Sequence, residues 1–144
     1  MKKELKILLI EDNEGDVELI TEAFKNNNLN SEITVVNNGE EAIIYLHSAE
    51  EDKLENYPNL ILLDINLPKI DGKEVLHYIK TNDKLKMIPV VMLTTSSLQN
   101  DILYAYSNQA NCYIVKPANF KEFINTIRSL ETFWLDCVTY PTVN

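Results

Sequence analysis

Five polar residues follow directly on short apolar runs, and their types suit metal and phosphoryl chemistry. Glu11 and Asp12 end the run Ile7–Ile10, Asp64 ends Leu60–Leu63, Thr94 ends Val90–Leu93, and Lys116 ends Tyr113–Val115. Three carboxylates gathered in one place repel and raise one another's pKa values. A hard divalent cation removes that conflict. Mg²⁺ takes oxygen ligands in octahedral geometry and keeps several waters, so one or two carboxylates suffice. Asp12 and Asp64 are the direct-ligand candidates, Glu11 would act through water, and the backbone carbonyl of Asn66 would complete the set. Mn²⁺ is the alternative ion. Together with Lys116 and the metal, the three acids reach near neutrality. Such a pocket accepts a phosphoryl group, whose oxygens match metal, ammonium and the Thr94 hydroxyl. Taken singly, each residue has a plainer role. Asp12 or Asp64 fits a helix N-cap, Thr94 a β-branched strand position, and Lys116 a solvated surface. The conjunction is what points to a site.

Positioning these residues requires strand ends that share one edge. The runs Ile7–Ile10, Ile33–Val36, Leu60–Leu63, Val90–Leu93 and Tyr113–Val115 are rich in Ile, Val and Leu and lack polar alternation. They predict strands buried on both faces of a parallel sheet. Helical spacing fills the gaps between them. Val17, Ile20, Ala23 and Phe24, with Leu19 at the edge, form the first stripe; Ala42, Ile43 and Leu46 form the second. Val75, Leu76 and Ile79 mark the third, and Leu98, Ile102, Ala105 and Tyr106 the fourth. The last runs through Phe123, Ile124, Ile127, Leu130, Trp134 and Val138. Asn37-Asn38-Gly39 opens the second helix, Asp71-Gly72 precedes the third, and Asn119 with Glu122 forms a capping box on the fifth. Ser48 to Asn59 reads as the longest loop. Five strands alternating with five helices predict an α/β three-layer sandwich: a doubly wound, five-stranded parallel sheet, flavodoxin-like, in the order 2-1-3-4-5. In that order the first and third strands flank the switch point, where such sheets bind ligands.

Composition excludes several classes. Thirteen basic against 22 acidic residues leave a net charge of −9, which works against a grip on nucleic acid or anionic lipid. Neither a nucleic-acid nor a membrane partner is expected. The N-terminus carries only four consecutive apolar residues before Glu11, too few for a signal peptide or a span, so a cytoplasmic location is expected. Cys112 and Cys137 make no disulfide framework and read as small buried side chains. His47 and His77 fall inside predicted helices without ligand spacing and read as surface residues. At 144 residues the chain has the size of one domain.

Glu11-Asp12-Asn13, Leu62-Leu63-Asp64-Ile65-Asn66-Leu67-Pro68 with Asp71-Gly72, Leu93-Thr94 and Lys116-Pro117 together resemble the receiver domain of two-component response regulators. The resemblance covers residues 5–130, with an extended last helix and tail over 131–144, so that 1–144 is read as a single receiver. Glu11-Asp12-Asn13-Glu14-Gly15-Asp16, a long loop before the third strand, and Phe133-Trp134-Leu135 are similar to the stand-alone receivers of the cyanobacterial phytochrome-response type. The resemblance implies that Asp64 accepts a phosphoryl group from a sensor histidine kinase or phosphotransfer protein. Glu11, Asp12 and Asp64 would hold Mg²⁺, and Lys116 and Thr94 would engage the acyl phosphate. It implies that Tyr113 is the switching aromatic partnered with Thr94, and that the Lys116–Pro117 bond is cis. Output would pass through the fourth helix, fifth strand and fifth helix to an unknown downstream protein, with a homodimer formed through that face. Tyr104, Tyr106, Phe133 and Trp134 lie on or near those elements. Thr95 stands where the family commonly has Ala or Gly, so it would narrow access to the phosphoryl group. Asn66 and Ser96 stand where the family sets the lifetime of the aspartyl phosphate. No true enzyme is implied beyond self-phosphorylation and slow autodephosphorylation.

Rival readings are a phosphate-dead pseudo-receiver that only binds partners and an aspartyl-nucleophile phosphohydrolase. The latter would want an acid where Asn66 stands. An FMN carrier would not place the acids of residues 11–16 against a phosphate. A P-loop switch lacks its Gly-rich Lys-Ser/Thr motif.

Overall fold

Leucine, isoleucine and valine crowd the central strands because helices cover both of their faces. The computed structural model describes residues 5–25, 31–52 and 57–141. Strands β1 (Leu5–Ile10), β2 (Ser31–Val36), β3 (Leu60–Leu63), β4 (Val90–Thr94) and β5 (Cys112–Val115) alternate with helices α1 (Glu14–Lys25), α2 (Gly39–Asp52), α3 (Gly72–Lys80), α4 (Gln99–Ser107) and α5 (Phe120–Glu131). Every pairing is parallel, and the strand order is β2-β1-β3-β4-β5. The expected doubly wound architecture is what the chain adopts.

Alternate residues of the strands serve opposite cores. Leu8, Ile10, Ile61, Leu63 and Met92 face α2 and α3, joined there by Ala105 of α4. Ile7, Leu9, Leu62, Val91 and Leu93 face α1 and α5, with Phe24, Phe123 and Trp134. Removing one of these side chains, as in Leu62→Ala, is expected to cost about 2–5 kcal/mol because the site cannot collapse around the void. The edge strands β2 and β5 are only half-buried, so burial on both faces holds for the three central strands alone.

Local chemistry sets the helix starts. Asp71 caps α3 by accepting from the Glu74 amide at 3.0 Å, and Asn119 caps α5 from Glu122 at 3.1 Å. Gly72 has a second task. Its backbone passes so close to the end of β3 that a Cβ there would lie 2.0 Å from the Asp64 carbonyl oxygen. Its N–H donates to the Ile65 carbonyl at 2.7 Å. Only glycine allows that approach, and the approach fixes the strand end that carries Asp64.

Several sequence expectations need correction. Ser48 to Asp52 continue α2 rather than opening a loop; residues 53–56 of the expected loop lie outside the described residues. The last helix is α-helical only to Glu131, then widens into a π-helical turn over Thr132–Cys137. Val138 is extended and outside the helix, though its N–H still reaches the Phe133 carbonyl. Leu98 is the N-cap of α4 and 67% exposed, because its extended backbone leaves the helical stripe. Tyr106 is also exposed; its hydroxyl accepts the Tyr113 N–H on the free edge of β5 at 3.1 Å. Cys137 is exposed rather than buried, and both cysteines are free thiols. The Lys116–Pro117 bond is trans, the isomer that an X–Pro amide ordinarily prefers.

Candidate functional site

The carboxyl ends of β1, β3, β4 and β5 meet at one edge, and the five sequence-predicted residues meet with them. Glu11, Asp64, Thr94 and Lys116 are 1%, 7%, 0% and 7% exposed, a rare degree of burial for such polar groups. Asp12 stays exposed at the rim. The register that aligns these ends continues beyond the strands: the Asp64 N–H donates to the Ile10 carbonyl, and the Glu11 N–H to that of Val36, both at 3.1 Å.

Glu11 turns inward beneath its own loop. One carboxylate oxygen accepts from the amides of Asp12 and Asn13 at 3.1 and 3.3 Å. The other is bonded to the Lys116 ammonium. Lys116 also reaches Asp16 at 2.9 Å and stands 3.8 Å from Asp64. Burial and the adjacent Asp64 carboxyl push Glu11 up to about 8, and the Lys116 charge offsets this only in part. For Lys116 burial works against the charged form. Its hydrogen bonds to Asp16 and Glu11, with the charges of Glu11 and Asp64, outweigh burial and hold its pKa above the ordinary lysine value.

Carboxylate oxygens of Glu11, Asp12 and Asp64 lie within 4.8 Å of one another. This donor set is all hard oxygen, buried at Glu11 and Asp64 and open at Asp12. It fits a divalent cation of the Mg²⁺ or Mn²⁺ kind. Asn66 is exposed, and its amide donates to Asp64 Oδ1 at 3.4 Å.

Asp16 is the residue that sequence reasoning missed. It sits in the first turn of α1, where an acid is expected merely to answer the helix dipole. The signal for it is its place in the acidic stretch Glu11–Asp16 directly after β1. With Asp16 included, three acids, Glu11, Asp16 and Asp64, stand within 3.8 Å of the Lys116 ammonium.

Thr94 and Tyr113 are linked through one residue. The Ser96 amide donates to Thr94 Oγ1 at 3.4 Å, and the Tyr113 hydroxyl donates to the Ser96 carbonyl at 2.9 Å. Thr95 is exposed, next to Thr94 at the end of β4. His47 and His77 are exposed, outside the acidic cluster. Phe133 is exposed and Trp134 buried, while Tyr104 is half-buried with its hydroxyl on the Lys73 carbonyl.

A doubly wound sheet with acids at the switch point, and a threonine and a lysine on the next two strand ends, is the arrangement of a receiver. The chain belongs to the response regulator receiver domain family, whose model matches residues 7–128. It is 43% identical over 135 residues to response regulator Rcp1 of Synechocystis sp., covering 94% of this chain and 92% of that protein. It is 40% identical over 129 residues to the probable methanogenesis regulatory protein FilR2 of Methanothrix harundinacea, covering 90% and 83%. Among solved structures it resembles the Mn²⁺-bound form of Rcp1, with a TM-score of 0.90, 41% identity and coverage of 96% and 99%. It equally resembles the phosphorylated cyanobacterial phytochrome response regulator RcpA, with a TM-score of 0.90, 43% identity and coverage of 97% and 100%. Among the described residues no helix is long and apolar enough to cross a membrane.

Proposed function

We propose that this chain is a stand-alone cytoplasmic receiver that accepts a phosphoryl group on Asp64 from the phosphohistidine of a sensor histidine kinase or phosphotransfer protein. The observation that carries this reading is the buried Asp64 carboxylate, clustered with Glu11 and Asp12 and 3.8 Å from the Lys116 ammonium. One Asp64 oxygen bonds to phosphorus as the phosphorus–nitrogen bond breaks, and that electron pair returns to the donor imidazole. Asp12 and Asp64 would hold Mg²⁺ directly and Glu11 through water, with the Asn66 carbonyl completing the set. The bound ion would offset negative charge on the group in transit. Lys116 exchanges its acidic partners for a phosphoryl oxygen, and the Thr94 hydroxyl donates to another. Turnover is confined to the chain's own phosphoryl group, through self-phosphorylation and slow hydrolysis.

The response leaves through α4, β5 and α5. Thr94 is drawn toward the phosphoryl group, and Tyr113 follows because Ser96 joins the two. The exposed apolar residues Leu103, Tyr106 and Val115 on α4 and β5 support a homodimer or downstream protein docking there.

Acetyl phosphate with Mg²⁺ tests the reading, and intact-mass measurement should show one added phosphoryl group. Asp64→Asn should abolish it, and chelation should suppress it. Full labelling of Asp64→Asn would overturn the assignment. Light scattering with and without beryllofluoride tests the dimer, and a strict monomer in both states ends that part.

A further inference from the structure

A second set of polar contacts, partly buried, leaves the crevice along the connection from β4 to α4. Ser96 is its centre. Besides its amide bond to Thr94 and its carbonyl bond from Tyr113, its hydroxyl donates to Asp101 Oδ2 at 2.5 Å. The other Asp101 oxygen takes the Lys73 ammonium, from α3, at 2.6 Å. Lys73 also lies 5.4 Å above the Tyr104 ring centre, and the Tyr104 hydroxyl donates to the Lys73 carbonyl at 3.3 Å. Asp101 is 9% exposed and shares the inner face of α4 with Ala105. A carboxylate on that face is costly unless both oxygens are satisfied. Here they are satisfied from two different segments, so the pairing dictates where α4 rests against α3 and the β4–α4 loop.

We propose that Ser96, Asp101 and Lys73 are positioning residues that form a latch holding α4 in its resting seat and thereby restrain phosphoryl acceptance. The proposal deepens the phosphoacceptor reading and rests on it. Thr94 cannot move toward a phosphoryl oxygen without drawing Ser96, two residues along the same backbone. Ser96 is tied by its carbonyl to Tyr113 and by its hydroxyl to Asp101, which Lys73 anchors to α3. Movement of Thr94 therefore strains or breaks these contacts, and their loss is charged against binding at Asp64. A ligand favouring the moved state gains apparent affinity when the resting state is weakened.

The test is calorimetric titration of the full chain with beryllofluoride in Mg²⁺, alongside thermal melting. Asp101→Asn and Lys73→Met should bind beryllofluoride about fivefold or more tightly than the unsubstituted chain, while melting at lower temperature. Lys73→Arg keeps the ion pair and should bind as the unsubstituted chain does. Ser96→Ala removes one hydroxyl, leaves the Lys73–Asp101 pair intact, and should also tighten binding; it decides the matter if Asp101→Asn fails to fold. A merely structural role would lower melting without tightening binding. Unchanged or weaker binding in all three loosened variants, with normal binding by the unsubstituted chain, overturns the latch alone. Failure of the unsubstituted chain to bind beryllofluoride overturns the phosphoacceptor reading and the latch with it.

Discussion

Two desolvated lysines stand at opposite ends of the sheet, and their surroundings differ in kind. At the amino ends of the strands, Lys80 donates to the carbonyls of Lys86 and Ile88 at 3.1 and 2.8 Å and to Asn111 Oδ1 at 3.3 Å. The same Asn111 oxygen accepts the Val90 amide at 2.8 Å. These acceptors are neutral loop groups, and the ammonium closes the connection from α3 to β4 over them. Burial alone pushes the Lys80 pKa below the ordinary lysine value. At the carboxyl ends Lys116 faces carboxylates, and despite burial its pKa moves the other way. Burying a lysine is therefore no mark of function. What marks the carboxyl end is a crowd of acids around one ammonium, with the Glu11 pKa pushed far from its ordinary value, which a stability-driven fold would discard and a site retains.

The largest break expected is at the carboxyl end and acts through the backbone. Gly72→Ala sets a Cβ against the Asp64 carbonyl and should cost about 3 kcal/mol or more, read from the urea midpoint. An unchanged midpoint would show that the end of β3 is not pinned there. Lys116→Met attacks the charge instead. Beryllofluoride binding should weaken about 10²-fold through the lost electrostatic partner, whereas Mg²⁺ should bind more tightly once a repelling ammonium is gone. Unaltered beryllofluoride affinity would remove Lys116 from its assigned role. Lys80→Met bares the carbonyls of Lys86 and Ile88 and should lose about 1–3 kcal/mol of stability with beryllofluoride binding intact. A loss of binding in that variant would erase the distinction between the two ends.

The sequence discloses the carboxyl end more fully than the amino end, for a physical reason. Asp64, Thr94 and Lys116 each follow an apolar run, and a run buried on both faces announces where its strand stops. Lys80 and Asn111 carry no such signal, because their partners are loop carbonyls, the Val90 amide and each other. Asp101 escaped for a related reason. A carboxylate on an inner helix face reads as solvated until Lys73 and Ser96 arrive from other segments. Leu98 misled in the opposite sense, since its spacing from Ile102 is helical while its backbone is extended. The end of α5 was misplaced because the apolar repeat persists through Trp134 while the backbone passes to π-helical hydrogen bonding, as from the Val138 N–H to the Phe133 carbonyl. Within Ser48 to Asp52 only Ala49 continues the Ala42 and Leu46 spacing, and it is buried with them; the three acids after it carry no apolar signal, so the reach of α2 to Asp52 goes unmarked.

The smallest effect separates the two lysines by the sign of their titration. The folded pKa of Lys80 lies below its ordinary 10.5, so between the two values the unfolded chain holds a proton that the folded chain has released. Stability attributable to Lys80 therefore rises with pH across that window and levels off above 10.5. Lys116 runs oppositely. With a folded pKa above 10.5, its contribution is whole below that value and is lost as pH climbs through the folded one. Lys80→Met should remove the rise below 10.5 and leave the fall above it. Urea midpoints of the two chains, taken in chelator across the alkaline range, give the comparison as a difference in which the other titrating groups cancel. Parallel profiles would mean that Lys80 titrates as a solvated lysine, and that the amino end is less closed than its hydrogen bonds indicate.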